Sequence, residues 1–337
     1  MKAKNRNKKY TVAIIGCGKI AVEVENYSRP TQPATHAGAF HANYRTEIVG
    51  FCDINEQQLA RAAKFFPGVP TYASAELMLK ELKPDIVSIA TQAPQHYDMV
   101  KLAVKYKAKG IVCEKPIADT LKKAKEMVDI VKKSRVKLIV NHMRRYDSLI
   151  QKWQKKIKEG LIGDVLQVSC YYYNGLLNNG THIIDLLRFF LGEVEWVRGN
   201  LNERTSWIEN DKNIDSVLRF KNGAMATLQT LPKNYGFLNF YFYGTKGRFA
   251  IKETGYKFEY KKLIESENYK GYFGLDSELF EEGGLRSLMA PMAQHIVNCL
   301  DGKEQPKDTV EDGYKALQII FALRESAKQN GKVISIQ

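Results

Sequence analysis

Over the first 140 residues, short apolar runs alternate with longer amphipathic ones. The runs Tyr10–Ile15, Ile48–Cys52, Ile86–Ala90, Gly110–Cys113 and Lys137–Val140 are too short for helices and rich in β-branched residues, so they read as buried strands. Between them, apolar positions recur at helical spacing and predict helices over Gln57–Phe66, Ala75–Leu82, Gln95–Tyr106 and Thr120–Ser134. Strand and helix in strict alternation predict a doubly wound parallel sheet, an α/β fold.

Beyond that stretch the pattern changes. Longer strands are predicted over Val165–Tyr173, Ile214–Phe220, Ala224–Thr230, Leu238–Tyr243 and Arg248–Ile251, and Asn222-Gly223 is a two-residue hairpin signal that makes its flanking strands antiparallel. Helices over His182–Leu191, Met289–Leu300 and Val310–Gln329 are expected to cover one face of this sheet. The other face, carrying alternate residues of Tyr171–Tyr173 and Phe240–Tyr243, is expected to be aromatic and partly exposed, a surface for a homo-oligomer unless a loop covers it. The expected division is residues 1–141 as a dinucleotide-binding domain and 142–337 as an α+β domain with a large, mainly antiparallel sheet.

A length of 337 residues suits two domains, and 44% hydrophobic with 26% charged residues is ordinary for a globular protein. No stretch approaches the roughly 18 apolar residues of a membrane helix. The basic Met1–Lys9 segment is followed by an apolar run that Gly16 cuts short, which argues against a secretory signal and for a cytoplasmic protein without a membrane partner. Cys17, Cys52, Cys113, Cys170 and Cys299 are widely spaced, forming neither a disulfide framework nor a metal motif, so reduced thiols and no metal are expected. The net charge of +14 comes from lysines scattered on amphipathic helices such as Leu121–Lys133, with no nucleic-acid motif beside them. A nucleic-acid partner is therefore not expected. The positive field suits the gathering of anionic small molecules.

The first strand empties into Gly16-Cys17-Gly18-Lys19-Ile20-Ala21, a glycine-spaced turn. Gly16 suits the tight turn, Gly18 the approach of a pyrophosphate to bare backbone, and Ala21 close packing behind. A helix starting there would turn its unpaired N–H groups toward the anion. The second strand ends in Asp53, placed to accept from an adenosine ribose and to repel the 2′-phosphate of NADP; capping of the next helix is the alternative role. Such an acid normally lies about 20 residues beyond the glycines. Here it is later, which predicts an insertion: Glu23–Thr35, with Pro30 and Pro33, reads as a loop before a helical pattern resumes at His36–His41.

Ligands of open α/β sheets bind beyond the carboxyl ends of the strands, where Ala90–His96, Cys113–Pro116 and Asn141–Tyr146 fall. The glycine turn, Asp53, Glu114-Lys115-Pro116, Arg144-Arg145-Tyr146, the segment Asn178-Asn-Gly180-Thr-His182-Ile-Ile-Asp185-Leu-Leu-Arg188 and Tyr243–Arg248 together resemble the glucose–fructose oxidoreductase/inositol dehydrogenase/MocA family. The resemblance implies a Rossmann domain and an NAD(P)-dependent enzyme moving a hydride between nicotinamide and a carbon of a sugar, polyol or nucleotide-sugar. NAD is the expected cofactor, with NADP possible. Its cofactor set maps onto Gly16, Cys17, Gly18, Lys19, Ile20, Asp53, Thr91, His96, Glu114 and Lys115. Lys115 matches the family lysine that lies near nicotinamide and substrate, and an ammonium there stabilises alkoxide character on the reacting oxygen.

The family's D-x-x-x-H signature places His182 as general base or acid. Its carboxylate position holds Asn178, a departure, and Asp185 three positions beyond His182 is placed to orient the imidazole. Arg144, Arg145, Tyr146, Asn178 and His182 form the expected substrate set, since guanidinium groups suit anionic oxygens. His36, His41, His142 and His295 read as structural. Within the family's chemistry the alternatives are an NAD-dependent glycoside hydrolase working by transient oxidation of a ring carbon, and a dinucleotide-sensing regulator without catalysis.

Overall fold

Strand β1 (Tyr10–Ile15) is apolar on both faces and stable only when covered on both, and it lies between its neighbours in a six-stranded parallel sheet. The computed structural model describes residues 9–22, 33–287 and 289–337. The chain forms two compact units, Met1–Tyr146 with Arg286–Tyr314, and Asp147–Leu285 with Lys315–Gln337.

In the first unit β1 is followed by α1 (His36–Ala42), β2 (Thr46–Cys52), α2 (Glu56–Phe65), β3 (Thr71–Tyr72), α3 (Ala75–Leu82), β4 (Ile86–Ile89), α4 (Ala93–Lys105), β5 (Gly110–Cys113), α5 (Leu121–Lys133) and β6 (Lys137–Val140). The strand order β3-β2-β1-β4-β5-β6 is that of a dinucleotide-binding sheet, and it reverses direction at β1 and β4. The two-residue β3 carries too little pattern to be read from sequence.

The predicted insertion has a specific geometry. The N–H groups of Ala21 and Val22 donate to Gly18 O at 3.1 and 3.0 Å, that of His36 to Ile20 O at 3.1 Å and that of Ala37 to Ala21 O at 2.9 Å. An uninterrupted helix makes such bonds four residues apart, so α1, which has its own cap at Thr35, continues the hydrogen bonding of the turn at Gly18 as a helix would after an excess of about twelve residues. Removing that excess restores the expected spacing to Asp53. Residues 23–32 of the predicted Glu23–Thr35 loop, and all but Lys9 of the basic N-terminal segment, lie outside the described residues.

One prediction needs correction. The helix read over Met289–Leu300 covers the first unit's sheet rather than the large antiparallel one: Met289, Met292, Ala293, Ile296 and Val297 share a core with Tyr10, Phe40, Val112 and Ile139. Their apolar face is wide enough to fit either sheet, and periodicity alone does not choose.

The second unit holds α6 (Ser148–Lys158), β7 (Val165–Tyr172), α7 (Thr181–Leu191), β8 (Val194–Leu201), β9 (Ile214–Phe220), β10 (Met225–Thr230), β11 (Asn239–Gly244), β12 (Gly247–Lys252), β13 (Lys257–Glu265) and β14 (Phe273–Glu282). With β15 (Ile334–Ser335) these strands form one sheet ordered β14-β13-β12-β11-β7-β10-β9-β8-β15, antiparallel throughout except where β7 and β10 run parallel. On its covered face Trp153 of α6 stacks on Phe249 at 4.9 Å, and Phe240, Phe242 and Phe258 continue the aromatic core. On the opposite face Tyr171 and Tyr241 meet edge to face at 6.3 Å and Tyr243 is 42% exposed.

Candidate active site

Gly16 has φ +90°, and a Cβ there would stand 2.7 Å from the carbonyl carbon and oxygen of Ala90 and 2.9 Å from Thr91 N, so only glycine lets the ends of β1 and β4 close on each other. Gly18 is the opposite case: nothing lies within 4 Å of its Cβ position, which leaves open backbone for a ligand. Cys17 turns its side chain into the core, where burial pushes its thiol far above the usual range, and meets the site through its backbone N–H alone. Lys19 is exposed and Ile20 half-buried.

At the end of β2, Asp53 accepts from Cys17 N–H at 2.7 Å and from Asn55 N–H at 2.9 Å. Helix α2 is capped instead by Asn55, whose side chain accepts from Gln57 and Gln58 N–H, so Asp53 is not that helix's cap. Gly16, Gly18, Asp53 and Thr91 line one cavity of about 420 Å³, together with Ile54, Gln58, Gln92 and Met99. Gln92 falls in the segment read as lying beyond a strand end, whereas Ile54, Gln58 and Met99 were missed; Ile54 follows Asp53 directly, and Gln58 and Met99 lie within α2 and α4, where no motif marks them. The Thr91 hydroxyl is buried with no partner among the described residues. An open glycine turn, a carboxylate and an orphaned hydroxyl in one cavity fit a dinucleotide.

The remaining expected cofactor residues do not line this cavity. His96 is 1% exposed, and its ring nitrogens lie 3.0 Å from Pro116 O and 3.0 Å from Thr91 O, tying two strand-end loops together. Burial holds its imidazole below the ordinary value, against the pull of those carbonyls and of Glu114. Glu114 points inward: Oε1 accepts from Asn141 Nδ2 at 2.5 Å and faces His36 Nε2 at 2.8 Å. Lys115 follows it, half-buried, at the head of the loop.

Arg144, Arg145 and Tyr146 form a buried 3₁₀ turn after β6. The guanidinium of Arg145 donates to Lys307 O at 3.1 Å and lies 3.5 Å from Asp312, and the Tyr146 hydroxyl donates to Val140 O at 2.7 Å. Both are engaged internally. Arg144 is 7% exposed.

In the second unit, Asn174 takes the left-handed conformation at φ 67° and opens a π-helical segment, Gly175–Gly180, that runs directly into α7. Wide turns of this kind are frequent at functional sites. The Asp211 carboxylate receives the N–H groups of Leu177 at 2.8 Å and Asn178 at 2.9 Å, with Arg324 at 3.0 Å behind it. A Cβ on Gly175 would strike that carboxylate. Asn178 is thereby presented on the surface of the segment, while His182 and Asp185, at 6% and 1% exposure, are buried on α7. Asp211 was not legible, because nothing local in its loop announces a cap for a helix more than thirty residues away.

Residues 10–142 match the oxidoreductase family model with an NAD-binding Rossmann fold, and residues 173–250 match the GFO/IDH/MocA C-terminal domain. The chain is 24% identical to D-apiose dehydrogenase of Paraburkholderia graminis over 98% of this chain and 90% of that protein. It is 22% identical to D-glucoside 3-dehydrogenase of Escherichia coli over 99% of each. Among solved structures, the WlbA dehydrogenase of Bordetella pertussis in complex with NADH and UDP-GlcNAcA superposes with a TM-score of 0.77 at 21% identity, over 98% of this chain and 99% of that one.

Proposed function

The chain belongs to the GFO/IDH/MocA family of oxidoreductases with an NAD-binding Rossmann fold, and on that premise we propose that it oxidises or reduces a hydroxyl-bearing carbon of a sugar or nucleotide-sugar with NAD. The observation that carries this reading is the cavity at the switch point of the parallel sheet, where Gly18 offers bare backbone, Asp53 a carboxylate and Thr91 an unpartnered buried hydroxyl. Its relatives named for apiose and glucoside, and a similar structure solved in complex with UDP-GlcNAcA, support the substrate class.

NAD, when bound, supplies the hydride acceptor or donor. The protein's part is binding and proton handling. Gly18 offers bare backbone to the diphosphate, with Gly16 shaping the turn and the Cys17 N–H holding Asp53 in place, and Asp53 accepts from ribose hydroxyls while repelling a 2′-phosphate, which favours NAD over NADP. Lys115 donates to the substrate oxygen as negative charge develops on it. His182 takes the hydroxyl proton in oxidation and returns it in reduction. With an amide at Asn178 in place of the family carboxylate, proton transfer falls to His182 alone, and Asn178 grips a hydroxyl. Arg144, Arg145 and Tyr146 remain the proposed substrate-side residues of the first unit, Arg145 and Tyr146 making internal bonds as well.

We further place the protein in the cytoplasm, where its five free, buried thiols stay reduced, and assign the open aromatic sheet face bearing Tyr171, Tyr241 and Tyr243 to a homo-oligomer. No helix among the described residues is long and apolar enough to cross a membrane.

The test is a fluorescence titration with NADH and NADPH, followed by a panel of sugars, glycosides and nucleotide-sugars monitored at the nicotinamide absorbance band. Tight NADH binding and reduction of NAD with one class of sugar is the expected result. Failure to bind NADH overturns the reading, and bound NAD that is never released while a glycoside is cleaved replaces it with the hydrolase alternative.

A further inference from the structure

Four polar side chains meet in the interior of the first unit, where an apolar cluster would be expected. The Ser88 hydroxyl of β4 lies 2.8 Å from His36 Nδ1, His36 Nε2 lies 2.8 Å from Glu114 Oε1, and Asn141, at the end of β6, donates to the same oxygen at 2.5 Å. The backbone N–H of Lys115 donates to Glu114 Oε2 at 3.3 Å. Ser88, His36 and Asn141 are 0% exposed and Glu114 6%. A carboxylate only accepts, so His36 Nε2 donates to Glu114, and the amide of Asn141 donates to the same oxygen. Burial alone would push the Glu114 carboxyl up, but the bond and charge of His36, the ammonium of Lys115 and the Asn141 amide outweigh it and hold it below the usual carboxylate range.

Such a network is a poor way to gain stability, since replacing buried ionic groups by apolar ones of equal volume is often neutral or favourable. Its placement says what it does instead. It gathers the start of α1 and the ends of three strands onto one carboxylate, and the next residue along the chain is Lys115.

We propose that His36 is a positioning residue for Lys115, fixing through Glu114 the main chain that carries the ammonium. The inference rests on the reading of Lys115 as the group that acts on substrate oxygen. His36 is the first residue of α1, and its N–H donates to Ile20 O at 3.1 Å, so the residue that faces Glu114 is also seated on the glycine turn. Geometric control of this kind is worth much in rate, because small displacements of a reacting group are costly.

The experiment compares His36→Gln, whose amide nitrogen still reaches Glu114, with His36→Asn, which meets Ser88 but stops short of Glu114. Amide hydrogen exchange of the Glu114–Lys115 peptide, followed by mass spectrometry, is expected to be about tenfold faster in the asparagine variant and near wild type in the glutamine variant. With the sugar identified by the panel, kcat falls about tenfold or more in His36→Asn while KM and NADH affinity change less than about threefold, and His36→Gln restores it. Equal exchange in all three proteins overturns the proposal, as does equal loss in both variants in proportion to a lower Tm. Should the asparagine variant not fold, Glu114→Gln weakens the same anchor by removing its charge while keeping its shape, and is held to the same outcomes. Lys115→Met separates the two readings: if it retains turnover, the role of Lys115 fails; if it is inactive while His36→Asn behaves as wild type, only the positioning role fails.

Discussion

The Asp53 carboxylate accepts a 2.7 Å hydrogen bond from the backbone N–H of Cys17, joining the end of β2 to the glycine turn across 36 positions of sequence. Its other oxygen is held by Asn55 N–H at 2.9 Å, so the group is fixed in orientation before any cofactor arrives, with lone pairs to spare for ribose hydroxyls. Asp53→Ala is expected to weaken NADH by about 10- to 100-fold, the scale of lost hydrogen bonds to a charged group, and NADPH by less, because a repulsion is removed with it. Equal losses in the two fluorescence titrations would discard the ribose assignment.

The two glycines of the turn separate folding from binding. Gly16→Ala forces a Cβ to within 2.7 Å of Ala90 backbone at φ +90°, and is expected to lower Tm through a strain of about 1–3 kcal/mol as well as to abolish cofactor binding. Gly18→Ala meets no protein atom within 4 Å, so Tm stays at the wild-type value while NADH affinity falls. Thermal melts and titrations on both variants check this contrast, which an unchanged affinity in Gly18→Ala would break.

Lys115→Met is expected to bind NADH normally and to lose about 10²- to 10³-fold in kcat, the usual effect of deleting one donor to a developing oxyanion. His182→Ala is expected to lose about 10²- to 10⁴-fold and to flatten the pH–rate profile near neutrality. Steady-state rates from acid to mildly alkaline pH settle both. A Lys115 variant with normal turnover, or a His182 variant that keeps the wild-type profile, would remove that residue from the mechanism.

Acid should loosen the first unit through its histidines before its carboxylates. Burial depresses His96 and His295 below the ordinary 6.5, so the unfolded chain binds those protons more readily than the folded one. Their contribution is fully present above about 6.5 and is lost as pH falls through the folded values. Asp301 and Glu304, both held at about 2, keep theirs until far lower pH. Wild-type Tm is therefore expected to fall between pH 7 and 5, and His96→Gln to show a shallower slope over that interval. A slope unchanged by the substitution would show that His96 titrates as it does in the unfolded chain.

The parallel half was legible because every strand but the two-residue β3 is a short, mainly apolar run; β1, β5 and β6 have the bounds that the run lengths predict. The antiparallel half was legible mainly through the Asn222-Gly223 hairpin, while β13 and β14, half-exposed and charged, carry no such contrast. Motif residues with a backbone role, Gly16 and Gly18, could be read from spacing alone. Residues that act through distant partners could not: His36 reads as an ordinary core histidine until Glu114 lies 2.8 Å from it, and Asp211 as a loop acid until it meets the N–H groups of Leu177 and Asn178. The inserted segment read correctly as a delay before α1, but the bond from His36 N–H to Ile20 O, which seats that helix on the glycine turn, could not be read from the sequence.

The most direct test of the account is isotopic. A sugar that reduces NAD in the panel is prepared with deuterium on the carbon bearing the reacting hydroxyl, and the reduced cofactor is analysed by mass spectrometry and NMR. The account predicts deuterium on the nicotinamide ring with wild-type protein, and its appearance about 10²- to 10³-fold more slowly with Lys115→Met. Product formed without label in the cofactor, or labelled cofactor at the wild-type rate from the methionine variant, would contradict it.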